Sequence, residues 1–190
     1  MLGKQFWLQG GVVNAVSPSD QTGQLKDSVI IYGFLMTSFG RCFAALSEQG
    51  LCWLEPVTSE RVPQRFRKAW SAANLTRDDR ALADRLDEFS AREKMPLHLR
   101  GTTFQLEVWS ALLATEPGQT LFYSGLARLI GKPDSARAVG AAVGANSIAF
   151  FVPCHRVLPA SGGIGNYRWG PKLKWRVLVA EAEPDHTLAA

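Results

Sequence analysis

Three apolar runs between residues 29 and 57, VIIYGFLMT, CFAALSE and LCWLEPV, are separated only by SFGR and by the turn-forming pair Gln49-Gly50. Short runs rich in β-branched and aromatic residues, joined by turns this tight, pair as neighbouring antiparallel strands. Two helices follow. SERVPQRFRKAW spaces Val62, Phe66 and Trp70 at helical intervals with Ser59 as its cap, and TRDDRALADRLDEF spaces Leu82, Leu86 and Phe89 in the same way. KMPLHLRG, residues 94 to 101, carries the proline and glycine of a connection. A domain boundary is expected there, with residues 1–97 forming an amino-terminal α/β domain and residues 98–190 a second domain.

The second half has a different pattern, helical and finely punctuated. Thr102-Thr103-Phe104-Gln105 holds a capping-box sequence, and the helix it starts presents Phe104, Val108 and Leu112 to a core. Ser124 is placed to cap SGLARLIG, which Gly131 and Pro133 stop, and Asp134 to cap DSARAVGAAVGAN. Two short helices across a tight GKPD turn are the pattern of a helix-turn-helix. In the second of them Ala138, Gly140, Ala141, Ala142, Gly144 and Ala145 leave little side-chain bulk, so this helix can approach another surface closely, with Arg137 as its long charged side chain. The fold class expected is α/β: an amino-terminal antiparallel sheet with helices, then a helical carboxy-terminal domain containing the helix-turn-helix.

Composition sets the outer limits. A chain of 190 residues, 46% apolar and 20% charged, can bury one sizeable core or two small ones, which excludes a disordered class. No apolar segment of signal-peptide length precedes VSPSDQTGQ, and no later run reaches the ~18 residues of a membrane span. A soluble cytoplasmic protein is expected. Cys42, Cys52 and Cys154 are too few and too scattered for a disulfide framework and form no CxxC pair. They read as reduced thiols, with no metal and no cofactor. A net charge of +4 and a pI near 9.1 permit nucleic-acid binding without demanding it. The distribution says more: from 121 to 176, eight lysines and arginines face Asp134 alone.

That basic stretch contains FVPCHRVLPASGGIGNYRWG, residues 151 to 170. A thiol is nucleophilic only as the thiolate, and a free cysteine near pKa ~8.5 is mostly protonated at neutral pH, so Cys154 needs a base. His155 is the candidate. Adjacent residues of an extended strand point to opposite faces, so a bridging water or a bend has to join them. A histidine base also needs an acceptor on its other ring nitrogen. In the amphipathic helix PKLKWRVLVAEAE, Glu181 is best placed by sequence, with Glu183 and Asp185 left open. In isolation a Cys-His pair reads as a core cysteine beside a satisfied histidine. An apolar run ending in proline, followed by Cys-His-Arg and a flexible loop, reads instead as a strand delivering a thiol to a site rim. Cys42 and Cys52, within apolar strands, keep the core reading.

PCHRV (153–157), GTTFQLEVW, LFYSGLA, GKPDSARAVGAAVGAN and GGIGNYRWG together resemble the O6-alkylguanine-DNA alkyltransferase family, the methylated-DNA-protein-cysteine methyltransferases, and most of all the bacterial forms. The resemblance covers about 101 to 183, with the motifs in consistent order. It implies that a damaged guanine is flipped from double-stranded DNA and that Cys154 takes its O6-alkyl group, or that of O4-alkylthymine, irreversibly and once per molecule. His155 is then the water-mediated base, Glu181 its orienting carboxylate, and Asn146 the brace of the turn near the thiol. Tyr123 supports the base or the rotated phosphate, with its hydroxyl near guanine N3.

The resemblance further implies that Arg137 enters the duplex where the base has left. Ala138, Gly140, Ala141 and Gly144 lie in the minor groove with Tyr123 and Ser124 alongside, a contact of weak sequence specificity. Val157, Tyr167, Arg168, Phe104 and Trp109 form the substrate pocket. Arg168-Trp169 stands where some relatives carry small residues, implying a bulkier or more basic rim. The extra cysteines of the adaptive-response protein's metal-bearing half are missing, so no transcriptional role is implied. The expected partner is DNA bearing O6-alkylguanine, met by a monomer that clusters on DNA, with no membrane involvement. A lesion-recognition module without chemistry is the alternative, and a turnover thiol hydrolase would need an oxyanion site for which the sequence offers no sign.

Overall fold

A computed structural model describes residues 12–16, 28–91 and 95–182. The expected meander is present as β2 (Val29–Thr37), β3 (Gly40–Ser47) and β4 (Gly50–Pro56), joined in antiparallel register after β1 (Val12–Val16). Gly50 makes the second turn possible: its φ is +132, and a β-carbon there would lie 2.2 Å from the Pro96 carbonyl oxygen. Beyond the meander the sheet is mixed, in the order β1-β6-β4-β3-β2-β5. The additions are β5 (Asn74–Arg77), parallel to β2, and β6 (Pro96–Arg100), parallel to both β4 and β1.

β6 corrects the reading of residues 94–101 as a connection. Pro96 begins the strand, where a missing N–H is tolerated, and Leu97, His98 and Leu99 are buried. The expected boundary at 97/98 therefore falls inside a paired strand. Period-2 alternation places Cys42, Ala44 and Leu46 of β3 on one face and Phe43 and Ala45 on the other. On the second face Phe43 meets Phe66 of α1 (Gln64–Ala69) at 4.9 Å between ring centres, with Trp53 and Trp70 alongside. α1 starts after Pro63 with no side-chain cap, so Ser59 does not serve it. His98 donates or accepts at 2.7 Å from Ser47 Oγ and meets the Trp70 ring edge-on at 5.3 Å.

The first face carries the larger core, which runs without a break from α2 (Asp79–Ala91) into the carboxy-terminal helices. α3 (Thr103–Leu113) has the expected capping box, Thr102 Oγ1 accepting from Gln105 N at 3.2 Å and Gln105 Oε1 from Thr102 N at 2.9 Å. Such a cap stabilises by about 1 kcal/mol. A two-stranded parallel pair, β7 (Leu121–Phe122) with β8 (Val157–Leu158), ties the start of α4 (Tyr123–Leu129) to the segment after Cys154. α4 ends at Gly131, whose φ of +71 turns the chain, and a 3-10 turn at Pro133–Ser135 leads into α5 (Ala136–Ala145). The expected caps differ: α4 begins at Tyr123 with Phe122 as its extended cap residue, and Ser135, not Asp134, precedes α5, neither side chain bonding to the helix it precedes. The last helix is α6 (Pro171–Ala182).

Candidate active site

The segment after α5 is fixed from two sides. Leu54 of β4 donates to the Ser147 carbonyl at 2.9 Å and accepts from Ala149 N at 2.7 Å, so the sheet gains a short parallel bridge there. Phe150 follows at φ +69, a left-handed conformation costing a bulky residue about 1–2 kcal/mol. Burial and stacking on Phe39, 4.8 Å between ring centres, hold it. This sharp reversal brings Pro153 and Cys154 back beneath α5.

Cys154–Arg156 is a 3-10 turn, not the end of an extended strand, so Cys154 and His155 project from a tight bend. The thiol is 5% exposed and lies at the base of a pocket of about 440 Å³ walled by Tyr123, Gly140, Asn146, Tyr167, Arg168 and Trp169. Asn146, buried at the end of α5, organises the approach. Its Oδ1 accepts from Ile148 N at 2.8 Å, while Nδ2 lies 3.0 Å from the Val152 carbonyl, 3.2 Å from that of Ile148 and 3.1 Å from Cys154 Sγ. Two amide hydrogens serve these three acceptors, so one of them is shared.

Burial pushes the Cys154 thiol up, against the opposing pull of Asn146, the Tyr167 hydroxyl and the Lys174 charge. The Tyr167 hydroxyl, itself pushed up by burial and then by the neighbouring sulfur, stands close enough to influence it. Among the described residues no partner meets that hydroxyl at hydrogen-bond geometry. Burial also raises the Tyr123 hydroxyl, with the cysteine as the second cause.

Behind the thiol lies a closed ionic cluster. His155 Nε2 is 2.8 Å from Glu181 Oε1, and both side chains are about 1% exposed. Arg156 grips both oxygens of the same carboxylate, Nη2 to Oε1 at 2.7 Å and Nε to Oε2 at 2.9 Å, and its Nη1 reaches Thr115 Oγ1 at 2.8 Å. Gly118 N completes the shell at 3.2 Å. Burial works against the Glu181 anion, but the bonds and charges of His155 and Arg156 prevail and hold its pKa at about 2. Burial pushes His155 the other way, down, so the imidazole is neutral near pH 7. With the carboxylate accepting at Nε2, the hydrogen belongs on Nε2 and the lone pair on Nδ1, and Nδ1 has no hydrogen-bond partner among the described residues.

Lys174, fully buried on α6, donates from Nζ to the Val157 carbonyl at 2.7 Å. Burial pushes its pKa down, and the cysteine opposes that. Lys174, Val177 and Glu181 are the buried residues of α6, at spacing i, i+3, i+7. That shared face was the available sequence signal for Lys174, and Arg156 lay inside the PCHRV motif; neither had been singled out.

Of the residues expected to form the pocket, Tyr167 and Arg168 line it, and three do not. Trp109 is buried in the core, where Nε1 donates to the Ala142 carbonyl at 2.9 Å and so braces α5. Phe104 packs at the core margin beneath the Lys132 ammonium, 5.2 Å from its ring centre. The Val157 side chain is fully buried, leaving only its backbone near the thiol side. Asn166 and Val143 line the pocket without having been expected there, and Trp169 lines it beside Arg168 as the expected rim residue.

Glu181 is the carboxylate that meets His155, while Glu183 and Asp185 lie outside the described residues. On α5 Arg137, Ala138, Ala141 and Gly144 form one exposed face, with Val139, Ala142 and Val143 buried opposite. Ser124 is half-buried on α4, and Gly140 lies against the Tyr123 ring. Two guanidinium groups cap the far end of α5: Arg65 Nη2 donates to the Ala145 carbonyl at 3.3 Å, and Arg168 Nη2 to that of Gly144.

With this geometry in place, comparison with known proteins is informative. Residues 103–183 match the family model for the DNA binding domain of 6-O-methylguanine DNA methyltransferase. The regulatory protein Ada of Salmonella typhimurium is 36% identical over 77% of this chain and 44% of its own length. The bifunctional transcriptional activator/DNA repair enzyme Ada of Escherichia coli is 37% identical over 83% of this chain and 47% of its own. The chain thus spans about half the length of these curated relatives. Mycobacterium tuberculosis OGT, solved in complex with DNA, superposes with a TM-score of 0.64 at 35% identity, covering 80% of this chain and 93% of that one.

Proposed function

The chain belongs to the O6-methylguanine-DNA methyltransferase family, and from that premise we propose that it reverses DNA alkylation damage by taking the O6-alkyl group of guanine, or the O4-alkyl group of thymine, onto Cys154. The observation that carries this reading is a buried thiol at the base of an open pocket, held by Asn146 and backed by a histidine whose free ring nitrogen has a carboxylate behind it.

The base enters the pocket out of the stack, because inside a duplex its O6 substituent is out of reach. A water at His155 Nδ1 carries the thiol proton to the imidazole, and Glu181, anionic and fully bonded, stabilises the resulting cation. The sulfur attacks the alkyl carbon as the C–O6 bond breaks, and the electron pair leaves with guanine. The Tyr123 hydroxyl on the pocket wall supplies a proton at N3, and the proton taken by His155 restores the balance. Thiol and alkylated base become thioether and base, with no further reactant. A thioether is not hydrolysed by water, so each molecule acts once. Because burial keeps Cys154 protonated at rest, its reactivity is confined to the moment a base closes the pocket.

α4 and α5 act as a helix-turn-helix whose exposed face, Arg137, Ala138, Ala141 and Gly144, lies in the minor groove, with Arg137 filling the space the base has left. The segment from α3 onward carries DNA binding and transfer, and the sheet before it, β6 included, supports them. The protein works as a monomer that can cluster on DNA, in the cytoplasm, where Cys42, Cys52 and Cys154 stay reduced. Intact-protein mass spectrometry after incubation with an O6-methylguanine duplex tests the reading. One methyl group per protein, mapped to Cys154 and missing from Cys154→Ser, is expected. Duplex binding with no adduct would overturn it in favour of a recognition module without chemistry.

A further inference from the structure

A second concavity adjoins the cysteine pocket and shares two wall residues with it. Arg168 and Trp169 wall both: the pocket on one side, and on the other a groove of about 870 Å³ between the 56–64 segment and the first turns of α6. Its cations are Arg41, Arg61, Arg168, Lys172 and Arg176, against Glu55 as its acidic side chain. Burial pushes the Glu55 carboxyl up, and the charges of Arg65 and Arg168 oppose that. Arg61, Val62 and Gln64 are shared with a third hollow of about 610 Å³, which adds Arg67. Through these shared residues the three spaces adjoin one another in a row from Cys154 into the amino-terminal half, with cations along it.

Two features separate this track from an ordinary solvated basic face. Arg41 pairs with Glu60 at 2.9 Å, but Arg61 and Lys172 make no ion pair or hydrogen bond among the described residues, so their charges are uncommitted. The wall also offers the half-buried Trp169 ring, while Phe39 is taken up by its stack on Phe150, with Arg176 6.0 Å from its ring centre. A row of cations beside an aromatic face suits a chain that is polyanionic along its backbone and has flat apolar groups able to stack. A duplex turns its bases inward and offers only phosphates; an unpaired strand offers both.

We propose that the track from Arg168 through Lys172 and Arg61 to Arg67 is a binding path for single-stranded nucleic acid, carrying the unpaired strand that flanks a base seated over Cys154. This rests on the alkyl-transfer reading for the identity of the seated base, and assigns the amino-terminal half a contact separate from the α5 face. Its consequence is that lesions in unpaired DNA are bound by a surface the duplex does not use.

The test is fluorescence anisotropy with a labelled, unmodified oligothymidine and a duplex of equal length, using the full chain and the double variant Arg61→Gln/Lys172→Gln. Each lost phosphate contact lowers the single-strand salt slope by about 0.7, so the variant's slope falls by about 1.4 and its single-strand affinity near 0.1 M salt by roughly 10- to 30-fold. Duplex affinity stays within about twofold, and transfer from an O6-methylguanine duplex is unchanged. Unchanged single-strand affinity, or an equal fall for strand and duplex, overturns the proposal. So does displacement of the oligonucleotide by polyglutamate of matched charge at equal concentration, which would make the track a general polyanion surface. Absence of transfer by the unmodified protein would instead count against the alkyl-transfer reading, leaving the binding comparison to be read on its own.

Discussion

Both halves of the molecule bury a histidine and a cysteine, and they treat them differently. In the sheet, His98 has Ser47 Oγ at Nδ1, the Trp70 edge against its ring and the Arg100 charge nearby, and burial with that charge pushes its pKa down to about 4. In the helical half, His155 is also pushed down by burial, yet its Nε2 faces a carboxylate held at about 2, and its Nδ1 is left open. The cysteines repeat the contrast. Cys42 and Cys52 are pushed up by burial, Cys42 to about 11, and Cys52 Sγ donates to the backbone carbonyl of Ala45. Cys154 is raised too, but an amide donor, a phenol and a buried ammonium all pull against burial. Burial alone therefore does not distinguish a chemical residue from a packing one. The distinguishing features are uncommitted capacity and an opposing charge held ready.

The sharpest way to break this contrast is to substitute each histidine by glutamine, which keeps one hydrogen bond and removes the base. His155→Gln is expected to slow single-turnover methyl transfer from an O6-methylguanine duplex by about 10²- to 10⁴-fold, the usual contribution of a general base. His98→Gln, whose ring meets Ser47 and Trp70 in the sheet and not the pocket around Cys154, leaves that rate unchanged. Rapid-quench kinetics on the two variants decides: a comparable loss in both would mean that His155 acts only by supporting the fold.

How much of this was legible before folding follows from what each element depends on. β2, β3 and β4 were readable because their alternation and their turns are local. β5 was not: its four residues, NLTR, are mostly exposed and owe their strand to parallel pairing with β2. β6 was hidden behind its proline and glycine, which mark a connection unless a strand 40 residues away is there to receive it. In the site, Cys154, His155 and Asn146 could be placed from the resemblance of motifs, and Glu181 stood out on its helix while Glu183 and Asp185 stayed open. The Arg156 grip on Glu181 and the Lys174 bond to Val157 span 25 and 17 residues, and they exist only once α6 has docked. Trp109 and Phe104 show the converse: large apolar side chains near a motif read as pocket wall, but packing took them into the core and its margin.

Acid titration distinguishes His98 from Glu181 by window, while His155, also pushed down from 6.5, adds to the first. The unfolded chain protonates a histidine near 6.5, whereas folded His98 does so only near 4. Between those values the unfolded state holds the extra proton, so stability falls as pH is lowered through that range, by about 3 kcal/mol. Glu181 has the depressed-acid pattern: its contribution is complete above the ordinary value of 4.5 and is lost as pH drops toward its folded value of about 2, again about 3 kcal/mol. Urea midpoints at stepped pH, for the unmodified chain against His98→Gln, should differ in slope between 6.5 and 4 and run parallel below. A slope unaffected by the substitution would place the acid sensitivity elsewhere and remove the comparison's electrostatic basis.

The smallest effect concerns what transfer leaves behind. Before reaction Cys154 Sγ is met by Asn146 Nδ2 at 3.1 Å, in a site 5% exposed. A methyl thioether accepts that bond more weakly and adds a carbon against Asn146, the Tyr167 ring and the turn held by Phe150. Extra volume in a packed site destabilises by about 1–3 kcal/mol, and in a chain of this size each kcal/mol lowers Tm by about 2–4 °C. The methylated protein is thus expected to melt a few degrees below the unmodified one in scanning calorimetry, with Cys154→Ser unaffected by the same exposure to lesion DNA. Because α5 rests on Asn146 and on the Trp109 bond to Ala142, the loosening should be felt first at the helix that faces DNA. An equal or higher Tm after methylation would mean that the pocket already has room for the product, and that the strain at Phe150 is not carried into the alkylated state.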